Sequence, residues 1–228
     1  MTDVKKVVAL LPMKGNSERI PGKNLKNFAG KPLFHAVMQT LEDCELVSKI
    51  IINTDSKEIA DSATNNFNKV KIHWRPEEIC GDFVSMNKVI VHDLVNSEEE
   101  HFLQTHCTNP LLSLKTLNEA INTYFKNLEK KHDSLFSVNK WLTRLYWEDM
   151  KPVNHNPREL LRTQDLPPLF EENSNFYIFS KDAFKKANEK RIGLNPIMYP
   201  TPKMESVDVD FPEDFELAEF IYKKQKGI

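Results

Sequence analysis

Glycine is scarce, with six in 228 residues. So few exclude a collagen-like chain or a glycine-rich linker, and the common phosphate-binding loops are missing too. A Walker loop needs four residues between its first glycine and a Gly-Lys pair followed by Ser or Thr. Gly15 and Gly22 stand too far apart for that, and Asn24 follows Lys23. No G-x-G-x-x-G occurs, which argues against a nicotinamide or flavin enzyme. Cysteine is equally sparse. Cys44, Cys80 and Cys107 make no C-x-x-C pair and read as reduced thiols of a cytosolic protein. The seven histidines lack metal-ligand spacing. Neither sign of charge dominates. With 31 Lys and Arg against 33 Asp and Glu, and the basic residues dispersed, a nucleic-acid binder is disfavoured. No apolar run is long enough to cross a bilayer. Lys5 and Lys6 precede a short apolar run that Pro12 and Lys14 cut, and no small-residue cleavage site follows, unlike a secretory leader. The expectation is a soluble, cytoplasmic protein without membrane or nucleic-acid partners. It is long enough to bury a sizeable core in one α/β domain spanning residues 1–228.

What is present begins with V-V-A-L-L-P-M-K-G-N-S-E-R-I-P-G-K-N, from Val7 to Asn24. Val7 to Leu11 reads as a buried parallel strand. It breaks into a loop carrying Lys14, Gly15, Asn16, Ser17, Arg19, Lys23 and Asn24. Ligands of open α/β sheets bind beyond the carboxyl ends of the strands. A cationic loop at that point suggests an anion site, most simply for a phosphate chain. The alternative is a solvated surface loop, because Lys and Arg are usually exposed.

Strand and helix patterns then alternate. Leu33, Ala36, Val37, Thr40 and Leu41 share a helical face, with Pro32 expected in the first turn. Ile50 to Asn53 is a strand, and Asp55 or Ser56 is placed to cap the helix carrying Ile59, Ala60 and Ala63. Val70 to Trp74 is a strand before Arg75-Pro76, and Asp82 could cap a helix from Val84 to Val95. Phe102 to Gln104 is a further strand, then a Leu117, Ala120, Ile121, Tyr124 helix, then a strand from Ser134 to Val138. After it the alternation stops. Trp141, Leu145, Tyr146 and Trp147 crowd together before Pro152 and Pro157, so about residues 139–175 read as an insertion. Near the end, Ser206-Val207-Asp208-Val209-Asp210 alternates strictly, which places Asp208 and Asp210 on one side of a strand. Two adjacent carboxylates repel unless a cation compensates them, and Mg²⁺ suits a carboxylate pair plus substrate phosphates. The alternative is a polar strand face, with Asp210 capping the last helix and Glu213 completing a capping box.

The chain resembles the sugar-activating cytidylyltransferases, in nearly its full length and in the same order. M-K-G-N-S-E-R-I-P-G-K-N blends the acylneuraminate loop A-R-x-x-S-K-x-x-P-x-K-N with the 3-deoxy-manno-octulosonate loop A-R-x-x-S-x-R-L-P-G-K. Lys14 replaces the family's Arg, and Glu18 stands where the acylneuraminate branch has Lys. Thr163 to Ile178 resembles R-Q-Q-L-P-x-x-x-x-x-N-G-A-x-Y-I, with Thr163 standing where the family has its Arg, a candidate for the sugar carboxylate, and Arg162 one residue earlier. The final acids resemble S-I-D-I-D, and L-Q-T-H-C-T-N-P-L resembles L-Q-P-T-S-P-L with two extra residues, so either Gln104 or His106 would meet the sugar. The resemblance implies a Rossmann-like nucleotidyltransferase fold: a mostly parallel central sheet flanked by helices, with an inserted dimerisation arm. It implies transfer from CTP to an acidic 2-keto sugar by a homodimer. Lys14, Gly15, Asn16, Ser17, Arg19, Lys23, Asn24, Arg75 and Ser85 would hold the nucleotide. Gln104, His106, Arg162, Gln164, Asn173, Phe176 and Tyr177 would hold the sugar, and Asp208 and Asp210 would hold Mg²⁺. Lys14, Lys23, Asp208 and Asp210 would carry the chemistry. Two rivals remain: a nucleotidyltransferase for another sugar or sugar phosphate, and a catalytically lapsed nucleotide- or sugar-binding protein.

Overall fold

The computed structural model describes residues 5–81 and 83–228. Asp82, expected as a possible helix cap, lies outside the described residues. Nine strands and six α-helices follow in order among the described residues: β1 (Val7–Leu10), β2 (Asn27–Phe28), β3 (Lys31–Pro32), α1 (Phe34–Asp43), β4 (Val47–Thr54), α2 (Lys57–Asn66), β5 (Val70–Trp74), α3 (Met86–Val95), β6 (His101–Thr105), α4 (Leu114–Leu128), β7 (Ser134–Trp141), β8 (Leu169–Ser180), α5 (Lys181–Lys186), β9 (Pro196–Pro200) and α6 (Pro212–Lys226).

Seven strands form one sheet in the order β5-β4-β1-β6-β8-β7-β9. Only β8 runs antiparallel to its neighbours in this sheet. This is the expected α/β architecture. Successive strand residues point to opposite faces, and both faces are covered. Val7 and Ala9 pack with α1, α2 and α4 residues such as Val37, Ile59 and Ile121. Val8 and Leu10 pack with Ile90 and Leu94 of α3 and Phe184 of α5. Double coverage is why β1 reads as a continuous apolar run. A third, smaller cluster joins Ile20 of the cationic loop to Val209 and to Phe215 and Ala218 of α6. It pins the start of the chain to its end.

Several local expectations change. Pro32 is not in a helix turn: it pairs with Asn27 in a short hairpin, and α1 starts at Phe34. Ser56, not Asp55, caps α2 by accepting from the Ile59 N–H at 3.3 Å. Helix α3 starts at Met86, with the Ser85 hydroxyl accepting from the Asn87 N–H. Residues 207–210 form no strand. Asp210 does not cap α6, and Glu213 completes no box. Asp214 accepts instead from the N–H groups of Phe211 at 2.8 Å and Asp210 at 3.2 Å. The strand expected to end at Val138 runs on to Trp141, because β7 and β8 pair out to Trp141 and Leu169; the chain between them is largely irregular, and β8 takes up the last part of the stretch 139–175. No helix among the described residues is long and apolar enough to cross a membrane.

Candidate active site

The cationic loop leaves the sheet between two parallel strands. Leu11 N–H donates to Ile51 O at 2.8 Å and Met13 N–H to Asn53 O at 2.9 Å, extending β1 along β4. The Gly15 N–H then donates to Asp55 Oδ1 at 2.6 Å. A Cβ at position 15 would lie 3.0 Å from Ser56 Cβ, tighter than a Cβ ordinarily comes, so this approach favours glycine. Gly22 turns the chain at φ 63°. Asn24 closes the loop: its Nδ2 donates to Lys14 O at 2.9 Å, while its Oδ1 accepts from the Cys107 thiol at 2.8 Å. Asn24 thus braces the loop, and it also lines the cleft above it. Asn16 is exposed and accepts the Ser17 N–H at 3.0 Å.

A cleft of about 240 Å³ opens above this loop, lined among others by Lys14, Ser17, Lys23, Arg75, His106 and Thr108. Lys23 is largely covered, with a side chain 12% exposed. Its Nζ donates to Val209 O at 2.6 Å, and Val209 N–H donates to Thr108 O at 2.8 Å. Those two bonds hold the Asp-Val-Asp segment against the exit of β6, with a carboxylate on either side of Val209. Asp210 pairs with Arg19 at 2.8 Å and lies 3.8 Å from Lys23. Arg19 therefore engages Asp210, with its guanidinium also over the Phe211 ring at 5.3 Å, rather than standing alone over the cleft. Asp208 reaches solvent at the rim, yet the surrounding protein displaces enough water to push its carboxyl above the usual range. Asp210 and Asp214 add to that rise, while a Thr108 hydrogen bond and Lys23 oppose it.

Arg75 forms another wall. Its Nε donates to Asn53 Oδ1 at 2.8 Å and its guanidinium to Asn53 O at 3.0 Å. That fixes the Asn53 amide, whose Nδ2 donates to fully buried Asp93 at 2.7 Å and lies 3.1 Å from His92 Nδ1. Asp93 also lies 2.9 Å from His73 Nδ1. The His73, His92 and Asp93 ligand atoms fall within 4.8 Å of one another, but the Asn53 amide points its N–H donors among them. A hydrogen-bond relay behind Arg75 accounts for the cluster.

Gln104 and His106 resolve into different roles. Gln104 is fully buried; its Oε1 accepts from Arg191 at 2.6 Å, and its Nε2 reaches Thr105 O at 2.8 Å and His106 Nε2 at 3.0 Å. His106 is the one that lines the cleft. Burial, with Arg191 and Lys23 nearby, lowers its pKa to about 4, so the ring is neutral at pH 7. Because Gln104 Nε2 is a donor, His106 Nε2 accepts and the ring proton belongs on Nδ1. Cys107 is no nucleophile: burial pushes its thiol up to about 12.

Other expected residues do not converge on the cleft. Phe176 is fully buried in the core beneath α4, a correction to its expected place against the sugar. Tyr177, its neighbour on the opposite face, is 1% exposed; its hydroxyl engages Glu172 and Ser174, and its ring is covered by Arg191. Asn173 braces Asn139 and Thr201 at 3.0 and 2.8 Å. Ser85 is not among the lining residues. Arg162 and Gln164 sit exposed on the segment between β7 and β8, where Arg162 grips Asp165 at 2.6 and 3.0 Å. Three contributors went unread in the sequence: Asn53, Asp93 and Arg191. Asp93 left a signal, since Val89, Ile90, Asp93 and Leu94 share the buried stripe of α3 and a carboxylate there demands partners. Arg191 left none.

A sequence profile of the cytidylyltransferase family matches residues 8–227. The chain is 28% identical over 222 residues to N-acylneuraminate cytidylyltransferase A of Danio rerio, covering 93% of this chain and 50% of that protein. It is 23% identical over 236 residues to pseudaminic acid cytidylyltransferase of Campylobacter jejuni subsp. jejuni, covering 96% and 97%. The chain thus spans about half the length of the fish relative and nearly all of the bacterial one. A solved CMP:2-keto-3-deoxy-manno-octonic acid synthetase, complexed with CTP, superposes with a TM-score of 0.70 at 13% identity, covering 97% of this chain and all of that one.

Proposed function

The chain belongs to the cytidylyltransferase family, and from that footing we propose that it activates an acidic 2-keto sugar, a sialic-acid-like nonulosonate, with CTP. The sugar's anomeric hydroxyl oxygen attacks the α-phosphorus. A new P–O bond forms, the bond to the β-phosphate breaks, and pyrophosphate leaves with the bonding pair. The products are the CMP-sugar and pyrophosphate.

One observation carries the reading: Lys23 and the Asp208–Asp210 segment, with Lys23 and Val209 186 residues apart in sequence, meet at the exit of the central strands. Phosphoryl-type transfer needs little from the protein beyond positioning and charge. Lys14 and Lys23 line the cleft where the phosphates would lie. They would counter the negative charge that builds on the leaving group, a contribution of several kcal/mol in a partly dry cleft. Ser17 offers a hydroxyl, and the loop's bond to Asp55 keeps its backbone from collapsing into the site. Arg75, braced by Asn53, is placed to border the base or ribose.

Mg²⁺ fits the acidic pair. Asp208 carries a carboxyl raised by desolvation and by its acidic neighbours, which a divalent ion would return to the ionised form. Asp210 would share it, giving up part of its present pairing with Arg19. When bound, the ion supplies charge neutralisation at phosphate oxygens. The arm suits a homodimer contact, because Trp147 is 63% and Leu160 95% exposed on it. Arg162 and Gln164 lie on the same arm.

The test is a panel assay: CTP and Mg²⁺ with N-acetylneuraminate, pseudaminic acid, 3-deoxy-manno-octulosonate and sugar 1-phosphates, scored by pyrophosphate release. Turnover with a nonulosonate is expected. Product from a sugar 1-phosphate and from none of the acids would overturn the reading, as would tight CTP binding without turnover.

A further inference from the structure

Resting on that reading, we infer that Arg191 binds the carboxylate of the acidic sugar. The substrate must bring an anionic group to a wall beside the nucleotide cleft. The cation nearest in sequence to the family's expected position does not stand there: Arg162 is held bidentately by Asp165 and its side chain is 73% exposed. Thr163, the neighbouring residue, carries no charge.

Arg191 has the properties that Arg162 lacks. It follows α5, on the segment leading into β9, and is partly buried. Its guanidinium carbon lies 3.9 Å from the centre of the Tyr177 ring. Its Nη1 donates to Gln104 Oε1 at 2.6 Å. Both contacts are to neutral groups, and no ion pair joins Arg191 to a carboxylate among the described residues. A guanidinium carries five N–H donors in one plane, so a partner at one edge leaves the others to face a ligand. A partly desolvated cation without a counter-ion is costly to hold. Stacking on an aromatic face offsets part of that cost and fixes the plane of the fork. The Tyr177 ring is itself held by the bonds from its hydroxyl to Glu172 and Ser174. The result is a preorganised planar cation of the kind that grips a carboxylate through two parallel hydrogen bonds.

Its position connects it to the cleft. Arg191 and Lys23 both press on the His106 ring, which lines the nucleotide cleft and touches Gln104. Gln104 thus links Arg191 to a ring that lines the same cleft as Lys23. In a 2-keto acid the carboxylate and the anomeric hydroxyl are borne by one carbon, so a sugar gripped by Arg191 at its carboxylate would hold that hydroxyl close by, on the side of Gln104 and His106 that adjoins the cleft.

The experiment compares wild type with Arg191→Gln and Arg191→Lys by steady-state kinetics, using whichever acid of the panel wild type turns over and that acid's methyl ester. In Arg191→Gln, KM for the acid should rise by about 50-fold or more, with KM for CTP unchanged within about threefold, as expected for a lost charge-assisted bidentate contact. Wild type should prefer the acid to the ester, and Arg191→Gln should lose that preference. Arg191→Lys, which keeps the charge but not the fork, should fall between, and it decides the matter if the Gln variant does not fold. An acid KM unmoved in both variants would overturn the inference and leave the functional reading standing. Equal rises in both KM values would overturn it in favour of mere bracing of Gln104 and Tyr177. Failure of wild type to bind or turn over any acid would overturn the functional reading and the inference together.

Discussion

Replacing Lys23 with Met removes one charge and leaves a side chain of similar length, so the two roles of this lysine can be weighed apart. Its structural role is a hydrogen bond to Val209 O at 2.6 Å from a side chain 12% exposed. Charge-assisted bonds of this kind contribute about 1.5–3 kcal/mol. The pairing with Asp210, at 3.8 Å and 40% exposed on the acid side, adds at most about 1 kcal/mol after screening by solvent. A loss of about 2–3 kcal/mol should lower the thermal midpoint of a chain this size by roughly 4–12 °C. The catalytic role is larger. Removing one preorganised donor from developing charge costs roughly 10²–10³ in kcat. The assay is pyrophosphate release at a temperature where both proteins are folded, beside a thermal melt, with Lys23→Arg as the charge-retaining control. A Lys23→Met enzyme with the lowered midpoint but kcat within about threefold of wild type would refute the catalytic assignment. It would leave Lys23 as a strut between the first loop and the last.

Three further predictions test neighbouring parts of the site. Gly15→Ala puts a Cβ 3.0 Å from Ser56 Cβ, so the loop must move by a few tenths of an ångström. KM for CTP should rise about tenfold with stability within about 1 kcal/mol of wild type, and an unchanged KM in both Gly15→Ala and Gly15→Val would contradict the close approach. Asp93→Leu strands the Asn53 amide and the His73 ring in the interior and should cost about 3–5 kcal/mol in urea unfolding, with Asp93→Asn costing less; a Leu variant as stable as wild type would dismiss the relay behind Arg75. His106 gives a pH dependence. Its folded pKa of about 4 lies below the ordinary 6.5, so the unfolded chain takes up the proton first as pH falls. The full stability is present above about pH 6.5 and is lost on acidification toward pH 4, by about 1 kcal/mol at pH 5.5 and about 3 kcal/mol in all. His35 and His101, also lowered by burial, act in the same direction. Urea midpoints at the two ends of that window check it, and His106→Asn should flatten the curve; a midpoint that rises on acidification would reverse the assignment.

The sequence by itself determined the parts of this protein that depend on neighbours along the chain. Apolar runs such as Val7 to Leu11 declare a doubly covered strand, because covered faces admit only apolar side chains in both directions. The loop from Lys14 to Asn24, a break in the strand-helix alternation after β7 and the paired acids near the end were readable in order, although β7 runs three residues past Val138. Tertiary structure decided whatever depends on which strands lie side by side. Phe176 could be placed near the sugar on paper, but β8 sits between β6 and β7, and its alternate residues enter two different cores. Arg162 stands near the expected place in the sequence, but in the fold it is paired with Asp165 three residues on. Arg191, in the unremarkable run K-R-I-G-L, reaches Gln104 across 87 residues by lying over Tyr177, which the pairing of β6 with β8 sets opposite Gln104. A side chain's partners at that distance are set by strand order and burial, and no local spacing encodes either one.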